Sequence, residues 1–350
     1  GGNGWTSCGA GAGGRVAIYH CSNMSSDVGV TAYGGGAPSR TAAAGTKYVV
    51  DTCSGTSSLV IDNRDFVTPS SVLTQLSDDF LCLRNTSSIL VDHRARVGVP
   101  SGDYELHADQ VTLTGLSEVS AGGTVTVNVS SQLEVSHGGF FACALVEVVS
   151  GGGVLFDNTK TVHTPTARKL VVRSPTLLVK ACVVVSEEFE LYVSSVSLDS
   201  TSRIHTNAQV AGGAGRGTSG GAGKGGAGGG HGGRGGDGTH SSVAGGTAYG
   251  SVLVPRHPGS GGGRGQYAPL YGYGGGTILI EATVVRLDAG SVISANGGAG
   301  LTGDYNRGSG GGSGGSVLIR TVSLVGTGSI TVDGGNGWTS CGAGAGGRVA

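Results

Sequence analysis

Carboxylates, imidazoles and thiols are sparse in this 350-residue chain, and their spacing decides what chemistry is open to it. Cleavage of a polysaccharide needs two or three carboxyl groups on one face, one of them with a raised pKa. The acidic candidates, Asp78-Asp79, Glu187-Glu188 and Asp92-His93-Arg94, stand apart and read as solvated turns or strand-edge pairs. The nine histidines have no nucleophile beside them. The run GAGAGG from Gly9 to Gly14 superficially matches a phosphate loop, but no strand-turn-helix pattern follows it. GGRGGDGTH, Gly232 to His240, nearly fits a calcium-binding nonapeptide with Asp237 at its acidic position, yet calcium rolls need tandem copies and this one is single. The reading is a protein that is not an enzyme and has neither cofactor nor metal.

The thiols suggest structure instead. There are seven Cys, but GGNGWTSCGAGAGGRVA occurs twice, at Gly1 to Ala17 and at Gly334 to Ala350, so Cys8 and Cys341 are one site a period of 333 residues apart. Six remain per period: Cys8 (or Cys341), Cys21, Cys53, Cys82, Cys143 and Cys182. That even set suits three disulfides with fifteen possible connectivities. Three N-glycosylation sequons begin at Asn23, Asn85 and Asn128. Paired thiols and sequons together point to a secreted or cell-surface protein.

What must position these residues is a β framework. Gly is 72 of 350 and charged residues are 13 per cent, which speaks against an ordinary globular domain and against a polyelectrolyte tail. The net charge of −1 lacks the footprint that nucleic-acid binding requires. No apolar run is long enough for a membrane helix. Apolar residues alternate, as at Val125, Val127 and Val129, and short strands follow one another from Asp109 to Ser200. Helical spacing occurs only in Ser70 to Leu83, at Val72, Leu76, Phe80 and Leu83.

An inner repeat lies within the long one. Gly275 to Gly300 aligns with Gly314 to Gly337, with Leu287 opposite Leu324 and Gly297 opposite Gly334, and Ser197 to Gly215 is a weaker copy. Such units bury their apolar faces only by stacking. The fold class expected is all-β, a parallel β-solenoid or β-helix-like repeat with Gly-rich excursions. Gly212 to Gly238 has Gly at 17 of 27 positions, and each Gly costs ~0.5–1 kcal/mol more than Ala to order. Extended, polyproline-II-like segments exchanging backbone hydrogen bonds would hold it. Residues 1–200 form the expected strand-rich, disulfide-bearing portion and residues 201–350 the Gly-rich portion, with 334–350 opening the next period.

The strings SRIHTNAQVAGGAG, GGGHGGRGGDG, AGGTAYGSVLVPRHPGSGGG, YGGGTILI, GGGSGGSVLIRTVSL and GAGGRVAIYH, with AAAGT at Ala42 to Thr46, resemble large glycine-rich cell-surface proteins of plants and protists. Non-Gly positions such as Tyr19, His231 and Tyr249 share in the likeness. The resemblance implies an extracellular β-solenoid without catalytic residues.

The sequence thus reads as one period, plus overlap, of an extracellular glycosylated filament or surface coat. Its partners are adjacent identical repeats and covalent glycans at Asn23, Asn85 and Asn128 on outward-facing turns. About ten stacked layers would advance a fibre ~50 Å per period. The alternative is a surface adhesin that binds a carbohydrate or a partner on the Gly-rich face, with Tyr267, Tyr271 and Tyr273 stacking on sugar rings or packing against the Gly segments. A polysaccharide-acting enzyme stands third.

Overall fold

The computed structural model describes residues 12–21, 30–33, 43–66, 72–74, 86–157, 168–220, 224–238, 243–266, 268, 270–303 and 308–350. Among them there is no helix, and the strand ladders are largely parallel. The helical spacing read in Ser70 to Leu83 lies outside the described residues except for 72–74, where Thr74 bridges Val97 in parallel. Two compact units divide the chain: residues 1–167 with 171–182, and residues 168–170 with 183–350. Strand β14, Glu188–Leu198, lies in the second unit, where it ladders with β16, Thr277–Leu287.

In the first unit β1 (Arg15–His20) pairs in parallel with β2 (Gly45–Asp51), which turns back on β3 (Thr56–Asp62) as an antiparallel hairpin. β3 then pairs in parallel with β4 (Ser88–Asp92), β4 with β6 (Tyr104–Leu113), and β6 with β8 (Thr124–Ser136). The two halves of β8 carry β10 (Leu145–Ser150) and β11 (Gly153–Asp157), and β11 pairs with the end of β12 (Lys169–Lys180). A small parallel sheet joins β5 (Arg96–Val99), β7 (Glu118–Ala121) and β9 (Phe140–Ala142). Alternation makes the core: Leu106, Val127 and Val148 are buried on neighbouring strands, and Val97, Val119 and Phe141 align on the small sheet.

The second unit repeats one layer in register. β14, β16 and β18 (Ser316–Gly326) pair in parallel, so that Phe189, Ile278 and Val317 form one buried column, and in the next Leu191 and Ile280 are buried and Ile319 is half-buried. Each strand skips one residue partway, as at Thr283 and Val322, which keeps the inward alternation on both sides of the irregularity. β13 (Val183–Val185), β15 (Arg203–His205), β17 (Val292–Ser294) and β19 (Ser329–Thr331) stack as a second parallel sheet through Val184, Ile204, Ile293 and Ile330. The register corrects the alignment read from sequence. Leu324 pairs with Val285 rather than Leu287, because the turn after β16 is two residues longer than the turn after β18.

The glycine segments pack as extended strands with a three-residue rhythm. Along 309–314 the N–H groups donate in turn to Leu301, Gly263, Gly342, Gly298, Ser260 and Ala345, so every third residue returns to the same neighbouring segment. Residues 226–231 do likewise, donating to Gly308, Thr218, Gly236, Gly311, Gly215 and Gly233. Three residues per turn is the repeat of polyproline II, which has no internal hydrogen bonds and so leaves every group for its neighbours. At positions such as Gly310 and Gly312 a Cβ would overlap a neighbouring backbone carbonyl, so glycine is required there. Of Gly212 to Gly238, residues 212–220 and 224–238 are described, and they exchange backbone hydrogen bonds with neighbouring segments, most regularly at 226–231.

Candidate functional site

Among the described residues, those singled out for chemistry do not come together on one face. Glu187 and Glu188 sit in ion pairs with Arg168 and Lys169, at 4.0 and 3.0 Å. His93 Nδ1 lies between Asp62 and Asp92 at 3.2 and 3.3 Å, on a turn where His93 and Arg94 both have left-handed φ. Asp237 accepts from Arg234 and from the Gly245 N–H, which fixes its loop. Among the described residues no three His, Cys, Asp or Glu side chains could share a metal ion. Asp78 and Asp79 lie outside the described residues.

Of the thiols, Cys21 and Cys53 form a disulfide that ties the end of β1 to the turn after β2, with Cα atoms 5.0 Å apart. Thr52 N–H donates to His20 O at 2.7 Å alongside it. Cys143 and Cys341 are half-buried and outside any disulfide, and burial pushes both thiols up, Cys143 to about 11. Cys182 is buried within the core. Cys8 and Cys82 lie outside the described residues, as do Asn23 and Asn85. Asn128 is half-buried in the middle of β8, between His107 and Val149, rather than on a turn.

Among the described residues, Tyr271 and Tyr273 of the Gly-rich face are half-buried. A side chain at Gly261 would come within 2.7 Å of the Tyr271 ring, which lies against that backbone. Arg216 and Arg264 stand 4.4 and 5.5 Å from the same ring, and Tyr273 meets it edge-on. Tyr267 lies outside the described residues.

The arrangement that does converge is built on the repeated segment. Its second copy completes the glycine packing: Gly342 and Ala345 donate to Gly226 and Gly229, while Gly311 and Gly314 donate back to Gly342 and Ala345. It then enters β20 (Arg348–Val349), parallel to β18. Within a strand, consecutive residues turn their N–H and C=O groups to opposite edges. Arg348 and Ala350 face β18, with Arg348 N–H on Gly315 O at 3.0 Å, Ala350 N–H on Val317 O at 3.1 Å and Ile319 N–H on Ala350 O at 2.9 Å.

In the first copy the same strand is paired through its other edge. Gly14 O accepts from Thr46 N–H at 3.1 Å and His20 O from Thr52, so the even-numbered residues of β1 face β2. Arg15 and Ala17, the counterparts of Arg348 and Ala350, face the opposite edge. The flanking glycines divide in the same way. Gly346 offers its carbonyl to Gly232, whereas its counterpart Gly13 uses its N–H on Ala43. Gly347 donates its N–H to Val332, whereas its counterpart Gly14 uses its carbonyl. At these two positions the backbone group used in one copy is not the one used in the other.

A seat for the Arg348 side chain adjoins this ladder. Its Nε donates to Tyr249 O at 3.1 Å and an Nη to His231 O at 3.4 Å. His231 is fully buried and its Nδ1–H donates to Gly314 O at 2.8 Å, which fixes the tautomer because a carbonyl can only accept. Burial holds this imidazole below its ordinary pKa, and the charges of Arg348 and His257 act in the same direction. The Tyr249 hydroxyl reaches Pro258 O and Ser260 Oγ at 2.5 and 2.7 Å. Nothing in the sequence alone marks this seat, because its parts are about a hundred residues apart. No protein family, no curated protein and no solved structure matches the chain.

Proposed function

We propose that the chain is a structural period of an extracellular, glycosylated filament or surface coat, whose layers continue from one period to the next as a parallel β-solenoid. One observation carries the reading. The strand that opens β1 and the strand that forms β20 have the same sequence, and they use opposite edges in their two settings. A single copy can therefore pair with β18 of one period and with β2 of the following period at once. Parallel pairing on both sides keeps the chain direction constant through the joint.

The function that follows is mechanical: to extend, coat or adhere, without catalysis. Pairing at every joint also removes the exposed strand edges that would otherwise invite lateral aggregation. The disulfide between Cys21 and Cys53 suits an oxidising compartment. Electron microscopy of the native particle tests the reading. A fibre whose axial repeat corresponds to one 333-residue period is the expected image, and dispersed single particles would reject it.

A further inference from the structure

We propose that Arg348, which recurs as Arg15, is the residue by which one period recognises the next, and that the carbonyls of Tyr249 and His231 are the seat that receives it. This rests on the filament reading above. The seat belongs wholly to one period, since both carbonyls come from its glycine segments. The arginine belongs to the repeated segment, whose next strand residues pair with β2 of the following period.

Several contacts make the seat rigid before the arginine arrives. His231 is anchored through Nδ1 to Gly314, and Tyr249 N–H donates to His231 O at 3.0 Å. The two rings lie 4.8 Å apart, and His257 closes edge-on against Tyr249 at 6.3 Å. Gly250 turns the chain with φ of +82°, a conformation side chains rarely adopt. A Cβ there would meet His231 Nε2 at 3.4 Å, His257 Nδ1 at 3.5 Å and Arg348 Nε at 3.8 Å, so three nitrogens converge beside it. Ser316 Oγ donates to His257 O at 2.6 Å and ties the seat to the residue that pairs with Arg348 across the ladder.

The fit is to a guanidinium. Two carbonyls on different segments are met by two N–H groups of one planar fork, a geometry that the single ammonium of lysine does not reproduce. Arg15, at the same place in the first copy, is exposed in this chain. The occupant assigned to the seat is the arginine of the repeated segment, which in this chain is Arg348.

Hydrogen exchange on the 350-residue chain tests this. Arg348→Ala should speed exchange of the Ile319 and Gly347 amides at least tenfold, and Arg348→Lys should do most of the same. Amides between β14 and β16 should keep wild-type rates, and Arg15→Ala should change neither set. If the alanine variant loses protection throughout the unit, the lysine variant carries the test. Wild-type exchange at Ile319 and Gly347 in both Arg348 variants overturns the arginine key while leaving the filament to stand on its backbone pairing. Rapid exchange in these variants together with no fibre from the native protein leaves only a local clamp, and overturns recognition between periods.

Discussion

A methyl group placed on Gly310 would overlap the carbonyl oxygen of Ala227, and one on Gly312 that of Tyr273. These neighbours are backbone held by hydrogen bonds on both sides, so they cannot yield as a flexible side chain would. A methyl on Gly233 would meet nothing nearer than the Ala345 Cβ at 4.0 Å. Gly310→Ala should therefore destabilise the second unit by about 2–3 kcal/mol, the upper part of the range for overpacking. Gly233→Ala should be neutral within about 0.5 kcal/mol. Urea unfolding of the two variants followed by circular dichroism checks the contrast, and equal midpoints would mean that the glycines serve flexibility rather than closeness. The sequence revealed that the glycines matter in bulk. Which of them are irreplaceable depends on what lies three segments away, and no local pattern records that.

Among the described elements, the hairpin of β2 and β3 is an antiparallel pair in a largely parallel arrangement. Its turn, Thr52 to Gly55, is set by Asp51, whose carboxylate accepts from Cys53 N–H at 2.9 Å and Ser54 Oγ at 2.8 Å, and by the left-handed Gly55. These hydrogen bonds come first in holding the Asp51 carboxyl below its usual pKa. DTCSGT carries that turn chemistry openly, so the hairpin could have been read from sequence. The alternation in β6, β8 and β14 was equally legible, because one face of each strand is buried. The register of β18 on β16 was not, since it depends on comparing two turn lengths. Asn128 lies on the half-exposed face of β8, opposite the buried Val127 and Val129, and not on the turn that the sequon suggested.

The disulfide acts on the same group of strands. It closes a loop between residues 21 and 53 and holds β1 beside β2. Cys53→Ser should cost about 2–4 kcal/mol, in line with loops of this length. The loss should appear as faster exchange of the Thr46 and Thr52 amides, with the second unit unchanged. Unchanged exchange at those two amides would show that the β1–β2 ladder stands without the bond.

For the whole molecule, the repeated segment makes two claims on one sequence. A chain that carries both copies fills its own β18 edge with Arg348 to Ala350, so that edge takes no strand from a second molecule. Deleting residues 334–350 leaves that edge and the arginine seat empty, while another molecule's residues 1–17 have the sequence that fits them. The shortened chain should form end-to-end oligomers that grow with concentration, seen by sedimentation. A folded, shortened chain that sediments as a monomer at every concentration would refute strand sharing.

The parallel sense of the two ladders on either side of the repeated strand has one more effect. In the proposed filament every link points the same way, so its head and its tail differ in chemistry. A short peptide resembling the shared strand would occupy the tail and have no purchase on the head. Elongation could then be halted from one direction alone.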